Sequence, residues 1–274
     1  MTALSAFFQY PFLARAMVVG ILVSLCAALL GVSLVLKRYS MIGDGLSHVG
    51  FGALAFALAT GWAPMAVAIP VVIIAAFLLL RLSESGKIRG DAAIGLISSS
   101  ALAGGVIIIS LDSGMNADVN GYLFGSILAM SNSDVILSVL LSIIVLTLFL
   151  LFYRQLFAIT FDEAFARATG IQAEAFHMLI ALLTALTIVI GMRVMGAMLI
   201  SSLVIFPPLT AMRVCRSFKG VVVVSAVVSV VCLIGGLIAS FSFDTPAGAS
   251  VVLVNLAVFL LFAFAGRWLS PNME

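Results

Sequence analysis

The stretch VVVVSAVVSVVCLIGGLIASFSF, residues 221–243, decides the fold class. It contains no charged side chain, and it is longer than the ~20 apolar residues that a helix needs to cross a bilayer. Over the whole chain 64% of residues are hydrophobic and only 9% are charged, whereas soluble domains carry about 25% charged residues. Open strands would leave backbone groups unsatisfied in lipid, and the alternation typical of a barrel is absent. The sequence therefore predicts an all-α, polytopic transmembrane bundle.

Further apolar segments lie on both sides of this stretch, and together they predict about eight to nine membrane segments in one domain covering residues 1–274. Lysine and arginine concentrate in every second connection, starting with Lys37 and Arg38 after the first segment. This pattern is typical of cytoplasmic loops, so we expect an external N-terminus and a cytoplasmic C-terminus. The predicted segments are 14–36, 41–60, 63–82, 92–111, 135–153, 174–194, 195–212, 221–243 and 248–264.

Charge and motif content exclude several classes of function. The net charge is only +2, so nucleic acid is not an expected partner, and membrane lipid is the natural surrounding. The chain has no G-x-x-x-x-G-K-[ST] loop for ATP and no H-E-x-x-H or G-x-S-x-G motif. We therefore expect a transport protein rather than an enzyme.

The strongest candidate site is the run Gly43-Asp44-Gly45-Leu46-Ser47-His48 at the start of the second segment. Asp44 and His48 are four residues apart and share one helix face, and ionisable groups inside a membrane segment indicate function. One carboxylate and one imidazole suit a divalent cation such as zinc, manganese or iron, and Ser47 could orient His48. The alternative is that Asp44 caps the helix at the interface and His48 is a packing residue.

His177 is the only other histidine, and it follows Glu174 by three residues. Glu-x-x-His can bind a metal on one helix face. We favour a simpler interpretation, in which Glu174 stabilises a helix start and His177 lies near lipid headgroups.

A second motif, Phe161-Asp-Glu-Ala-Phe-Ala-Arg-Ala-Thr-Gly170, lies in a cytoplasmic connection. It predicts a short capped helix over residues 160–171, with an ion pair between residues four apart and small residues for packing against a partner protein. The alternative is a helix that rests on the membrane surface. The residues proposed for contact with a partner are Phe161, Asp162, Glu163, Ala166, Arg167 and Gly170.

Two other features complete the set of candidates. Pro207 and Pro208 lie inside the seventh segment, where they predict a helix kink and free carbonyl groups. Asp112, Asp118 and Asp244 lie in connections expected on the outer side, where carboxylates would raise the local concentration of cations. We predict that these three residues form an external mouth.

Taken together, these motifs resemble the membrane permeases of metal-ion ABC transporters, the ABC-3 family. Residues 43–48 look like its G-D-A-L-S-H signature, and residues 161–170 look like its cytoplasmic F-D-x-x-x-A-x-x-x-G motif. Val194 to Pro207 is similar to its V-G-x-L-L…P-A helix, and residues 244–248 are similar to its D-x-P-x-G turn. The order and spacing of the four motifs make the resemblance specific over nearly the whole chain.

The resemblance implies a permease subunit in the bacterial cytoplasmic membrane, with metal passing Asp44 and His48 and with residues 160–171 forming a coupling helix. It also implies a homodimer, two cytoplasmic ATPase subunits and a metal-binding protein on the outer face. We expect no permanently bound cofactor, because the divalent cation is the cargo. Zinc is the first hypothesis, and manganese or iron(II) are the alternatives. A gradient-driven secondary transporter is the alternative from another class.

Overall fold

The computed structural model describes residues 11–84, 90–111 and 132–269, and every secondary-structure element in these ranges is helical. The predicted fold class is confirmed. The described helices are α1 (Pro11–Leu36), α2 (Ile42–Thr60), α3 (Pro64–Glu84), α4 (Gly90–Leu111), α5 (Asn132–Leu151), α6 (Tyr153–Phe161), α7 (Glu163–Ala168), α8 (Ala173–Met195), α9 (Ala197–Met212), α10 (Phe218–Phe243) and α11 (Ala247–Leu269).

Eight helices in the described ranges are long and apolar enough to cross a membrane: α1 to α5, α8, α10 and α11. The predicted seventh segment is shorter than the others, because α9 has only 16 residues. At 1.5 Å per residue it spans about 24 Å, which is less than the ~30 Å hydrocarbon core. The prediction of eight to nine segments is confirmed, with α9 as the short member.

Helix α9 lies at the centre of the bundle, where it packs against α1, α10, α11, α8 and α2. It continues through Pro207 and Pro208 to Met212, so the predicted kink stays a prediction. Because Pro208 has no N–H group, the carbonyl of Val204 loses its usual donor. That oxygen faces Gly31 of α1, where a Cβ atom would lie only 2.2 Å from it.

Polar contacts bring the helix ends together as the loop charges predict. At one end, Arg15 of α1 donates to Asn132 of α5, and Arg193 of α8 lies 3.4 Å from Asp134 of α5. The starts of α1 and α5 thus share one end of the bundle with the end of α8. This arrangement agrees with a chain that crosses the membrane in alternating directions.

Candidate functional site

Asp44 and His48 form a polar pair on α2. The Asp44 carboxylate lies in the first turn, and its Oδ2 atom is 3.5 Å from His48 Nε2. The His48 side chain is 20% exposed and the Asp44 side chain is 42% exposed. Met41 occupies the N-cap position and makes no side-chain cap. The alternative of Asp44 as the helix cap is therefore wrong.

The other ring nitrogen of His48, Nδ1, has no hydrogen-bond partner among the residues that the structure describes. Nδ1 is buried, and no donor or acceptor reaches it within the described part of the chain. A buried polar atom without a partner destabilises a fold by about 1–3 kcal/mol. If Nε2 carries the proton and faces Asp44, then Nδ1 keeps a free lone pair, which is the state in which imidazole binds metal ions.

The pair lies deeper in the bundle than its position in α2 indicates. Helix α2 is continuous from residue 42 to residue 60, so the glycines around Asp44 do not break it. Gly43 packs against Ser201 and Val204, where an added Cβ would lie 3.8 Å from atoms of both residues. These two residues are about halfway along α9. The start of α2 is therefore level with the middle of the central helix.

Ser47 supports the first turn of α2. Its hydroxyl is fully buried and donates to the backbone carbonyl of Asp44 at 2.7 Å. Of the hydrogen bonds described, none joins Ser47 to His48, so its role in orienting the imidazole stays a prediction.

Asp44 and His48 have no third metal-ligating side chain beside them among the described residues. Among the described residues, no group of three or more His, Cys, Asp or Glu side chains could hold a metal ion. A cation at Asp44 and His48 would need further ligands from backbone carbonyls, water or a second protein chain, since structural and catalytic zinc sites use three or four protein ligands.

The short helix α7 has the predicted caps. Asp162 is the N-cap of α7, and its side chain accepts a hydrogen bond from the Phe165 N–H at 2.9 Å. Gly170 follows the helix with φ +86°, and its N–H donates to Arg167 while the Ile171 N–H donates to Ala166. This pair of bonds is a Schellman motif. The sequence prediction of a capped helix is confirmed.

Some residues of the 161–170 motif are exposed, and others are buried against the rest of the chain. The exposed fraction of the residue is 59% for Phe161 and 62% for Phe165. The side chain of Arg167 is 55% exposed. Ala166 is fully buried within this chain. The prediction that Ala166 packs against a partner protein therefore needs correction, because a helix of this length turns one face inward and Ala166 lies on that face.

Glu163 is the centre of an ionic cluster. Its carboxylate lies 2.8 Å from Arg167, as predicted for residues four apart, and 3.0 Å from His177. Lys37 lies 3.7 Å away. Burial alone would raise the pKa of Glu163, but hydrogen bonds from Arg167 and His177 and the nearby positive charges hold that pKa below its ordinary value of 4.5.

His177 is bound differently from either interpretation of the sequence. It is 5% exposed, and both ring nitrogens lie within 3.2 Å of Lys37 Nζ while Nε2 also contacts Glu163. Its carboxylate partner is thus Glu163 of α7, whereas Glu174 is exposed. No local spacing pattern could reveal a partner 14 residues earlier together with another 140 residues away.

The predicted external mouth is only partly described. Asp112 and Asp118 lie outside the described residues. Asp244 is exposed and ends α10 in the left-handed region at φ 52°, where aspartate is tolerated. The turn after it is held by Ser240, which donates to the Thr245 carbonyl at 2.5 Å. A role for the three carboxylates in attracting cations stays a prediction.

The fold is that of a multi-pass membrane protein. The chain belongs to the ABC 3 transport family, whose pattern matches residues 9–266. It is thus a membrane permease of the metal-ion ABC importers, located in the bacterial cytoplasmic membrane, and the family and location predictions are confirmed.

Relatives and solved structures share this similarity along nearly their full length. The chain is 33% identical to the high-affinity zinc uptake system membrane protein ZnuB of Haemophilus influenzae, covering 93% of this chain and 98% of the relative. It is 30% identical to the manganese transport system membrane protein MntC of Halalkalibacterium halodurans, covering 96% and 92%. The structure of PsaBC from Streptococcus pneumoniae in complex with Fab contains a chain that is 30% identical, with a TM-score of 0.86 and 98% coverage of both chains.

Proposed function

We propose that this permease imports zinc and that Asp44 and His48 bind the ion transiently as it passes. The observation that carries the proposal is the Asp44–His48 pair: the carboxylate lies 3.5 Å from Nε2 of His48, and the buried Nδ1 atom of the same ring has no partner in the described structure. A transport site must bind the cation weakly enough to release it. Two ligands per chain suit that requirement better than a closed set of four.

Donor chemistry supports zinc first. Zinc accepts imidazole nitrogen and carboxylate oxygen in a tetrahedral arrangement, and a homodimer would offer two of each from Asp44 and His48. Manganese and iron(II) are the alternatives, since imidazole and carboxylate serve them as well. The similar proteins include one named for zinc and one named for manganese, so selectivity has to be measured.

We further propose that two ATPase subunits drive transport by docking on α7. Its exposed face carries the aromatic side chain of Phe165 beside the charge of Arg167, and the exposed Phe161 ends α6 just before it. Aromatic and arginine anchors dominate many protein interfaces. On the other side, a metal-binding protein would deliver the cation near Asp244, where negative charge raises the local cation concentration.

Metal uptake by proteoliposomes that hold the assembled transporter tests the proposal. Asp44→Asn and His48→Gln should abolish ATP-dependent zinc uptake while the complex still assembles. Asp91→Asn is the matched control, because Asp91 is also a first-turn aspartate and is exposed, and it should transport normally. Unchanged uptake in the Asp44 and His48 variants would remove the site assignment. Uptake that runs on an ion gradient without ATP would favour the secondary transporter.

A further inference from the structure

Three charged or polar side chains from separate elements meet at the inner end of the bundle. Lys37 follows α1, Glu163 begins α7, and His177 lies in the second turn of α8. Nε2 of His177 is 3.0 Å from Glu163 Oε2, and Nζ of Lys37 is 3.1 Å from His177 Nδ1. We call these three residues the junction cluster.

One protonation state satisfies the junction cluster. A neutral imidazole that carries its proton on Nε2 donates to the Glu163 carboxylate, and its Nδ1 atom accepts from the Lys37 ammonium group. The carboxylate also faces Arg167 and Lys37 directly. Arg81 and Glu174 line a cavity of about 500 Å³ together with His177.

Helix α7 is short and buries little of its own surface in the described structure. The helix has six residues, and Ala166 is its only buried residue. In the described structure its main helix neighbours are α6 and α8. Glu163 connects α7 to the end of α1 through its contact with Lys37.

The connection continues from Lys37 to the metal-binding pair. Residues 37–41 form a tight turn between α1 and α2, with the Tyr39 N–H bonded to the Leu34 carbonyl at 2.8 Å and the Ile42 N–H bonded to the Tyr39 carbonyl at 3.0 Å. Asp44 lies in the first turn after it. Hydrogen bonds thus fix this turn to both helices, so a displacement of the Lys37 backbone would be passed to the start of α2.

We propose that the junction cluster transmits movement of α7 to α1 and α8, and through the turn at residues 37–41 to Asp44. Its members are positioning residues that touch neither metal nor nucleotide. This inference rests on the proposed function, in which an ATPase moves α7. It assigns a route from the docking helix to the transported ion.

Simultaneous measurement of ATP hydrolysis and zinc uptake in proteoliposomes with the complete transporter tests the cluster. Lys37→Gln and His177→Gln should keep the ATPase bound and hydrolysing ATP, while the zinc transported per ATP falls by about 5-fold or more, the lower range of typical coupling between sites. Lys37→Arg keeps the charge and should retain most coupling. Glu174→Gln is the matched control, because this carboxylate lines the same cavity without joining the cluster.

Each outcome decides between specific explanations. An unchanged ratio of zinc to ATP in Lys37→Gln and His177→Gln would overturn the proposal. Loss of the ATPase from both variants, with Lys37→Arg equally affected, would also overturn it, because the cluster would then only hold the fold together. If the wild-type transporter itself moves zinc without ATP, the proposed function fails, and this result is distinguishable because it does not depend on the variants.

Discussion

Replacing Gly31 by alanine probes the central packing of the bundle. An alanine Cβ at this position would lie 2.2 Å from the carbonyl oxygen of Val204 and 3.0 Å from Pro208 Cγ. Ordinary van der Waals contact begins at 3.4 Å, so α1 and α9 must separate by about 1 Å. Overpacking of this kind destabilises proteins by about 1–3 kcal/mol.

A second glycine provides the reference for this measurement. Gly95 lies in α4, and a Cβ added there would meet nothing within 4 Å in the described structure. Both substitutions gain about 1 kcal/mol of helix propensity, so their difference isolates the packing term. Thermal unfolding of the purified protein in detergent should give a lower midpoint for Gly31→Ala than for Gly95→Ala. Equal midpoints would refute the close approach of α1 to the Val204 carbonyl.

Three further predictions concern α7. Asp162→Ala removes the N-cap, which should destabilise the helix by about 0.5–2 kcal/mol and speed amide hydrogen exchange over residues 163–169; unchanged exchange would contradict the cap. Phe165→Ala should weaken ATPase binding in a pull-down from detergent extracts. Phe243 is also exposed but ends α10, so Phe243→Ala is the control and should leave ATPase binding unchanged. Equal ATPase binding by the two variants would contradict the docking face. Because the pKa of Glu163 is lowered, its ionic contribution is complete above pH 4.5 and is lost as the pH falls through the lowered value. Exchange protection of α7, corrected for intrinsic rates, should therefore weaken only below pH 4.5, and this dependence should be smaller in Glu163→Gln, in which the Asp162 cap is still present. Weakening that starts near neutral pH would contradict the assignment.

The sequence predicted those parts of the fold that depend on local patterns. The membrane segments follow from long apolar runs, because length and hydropathy decide whether a helix can span a bilayer. The boundaries of α7 follow from Asp162 and Gly170, since an aspartate cap and a glycine with positive φ have local physical causes. The pairing of Asp44 with His48 follows from the 3.6-residue helical repeat.

Local sequence patterns could not predict contacts between residues that are distant in the sequence. The alternating alanines of α7 did not indicate which face of the helix is buried. Ala166 was therefore assigned to a contact with a partner protein, although it is buried within this chain. His177 was interpreted beside Glu174, its neighbour in sequence, whereas its partners are Glu163 and Lys37. The level of Asp44 in the bundle depends on how α2 packs against α9, which residue spacing within α2 does not encode.

A change of ligand chemistry at His48 tests the central claim most directly. A thiolate prefers soft metal ions more strongly than an imidazole does. If His48 binds the transported cation, His48→Cys should raise the ratio of Cd²⁺ to Mn²⁺ uptake in proteoliposomes relative to the wild-type transporter. A parallel fall in the uptake of both ions, with their ratio unchanged, would show that His48 supports the fold without contacting the metal.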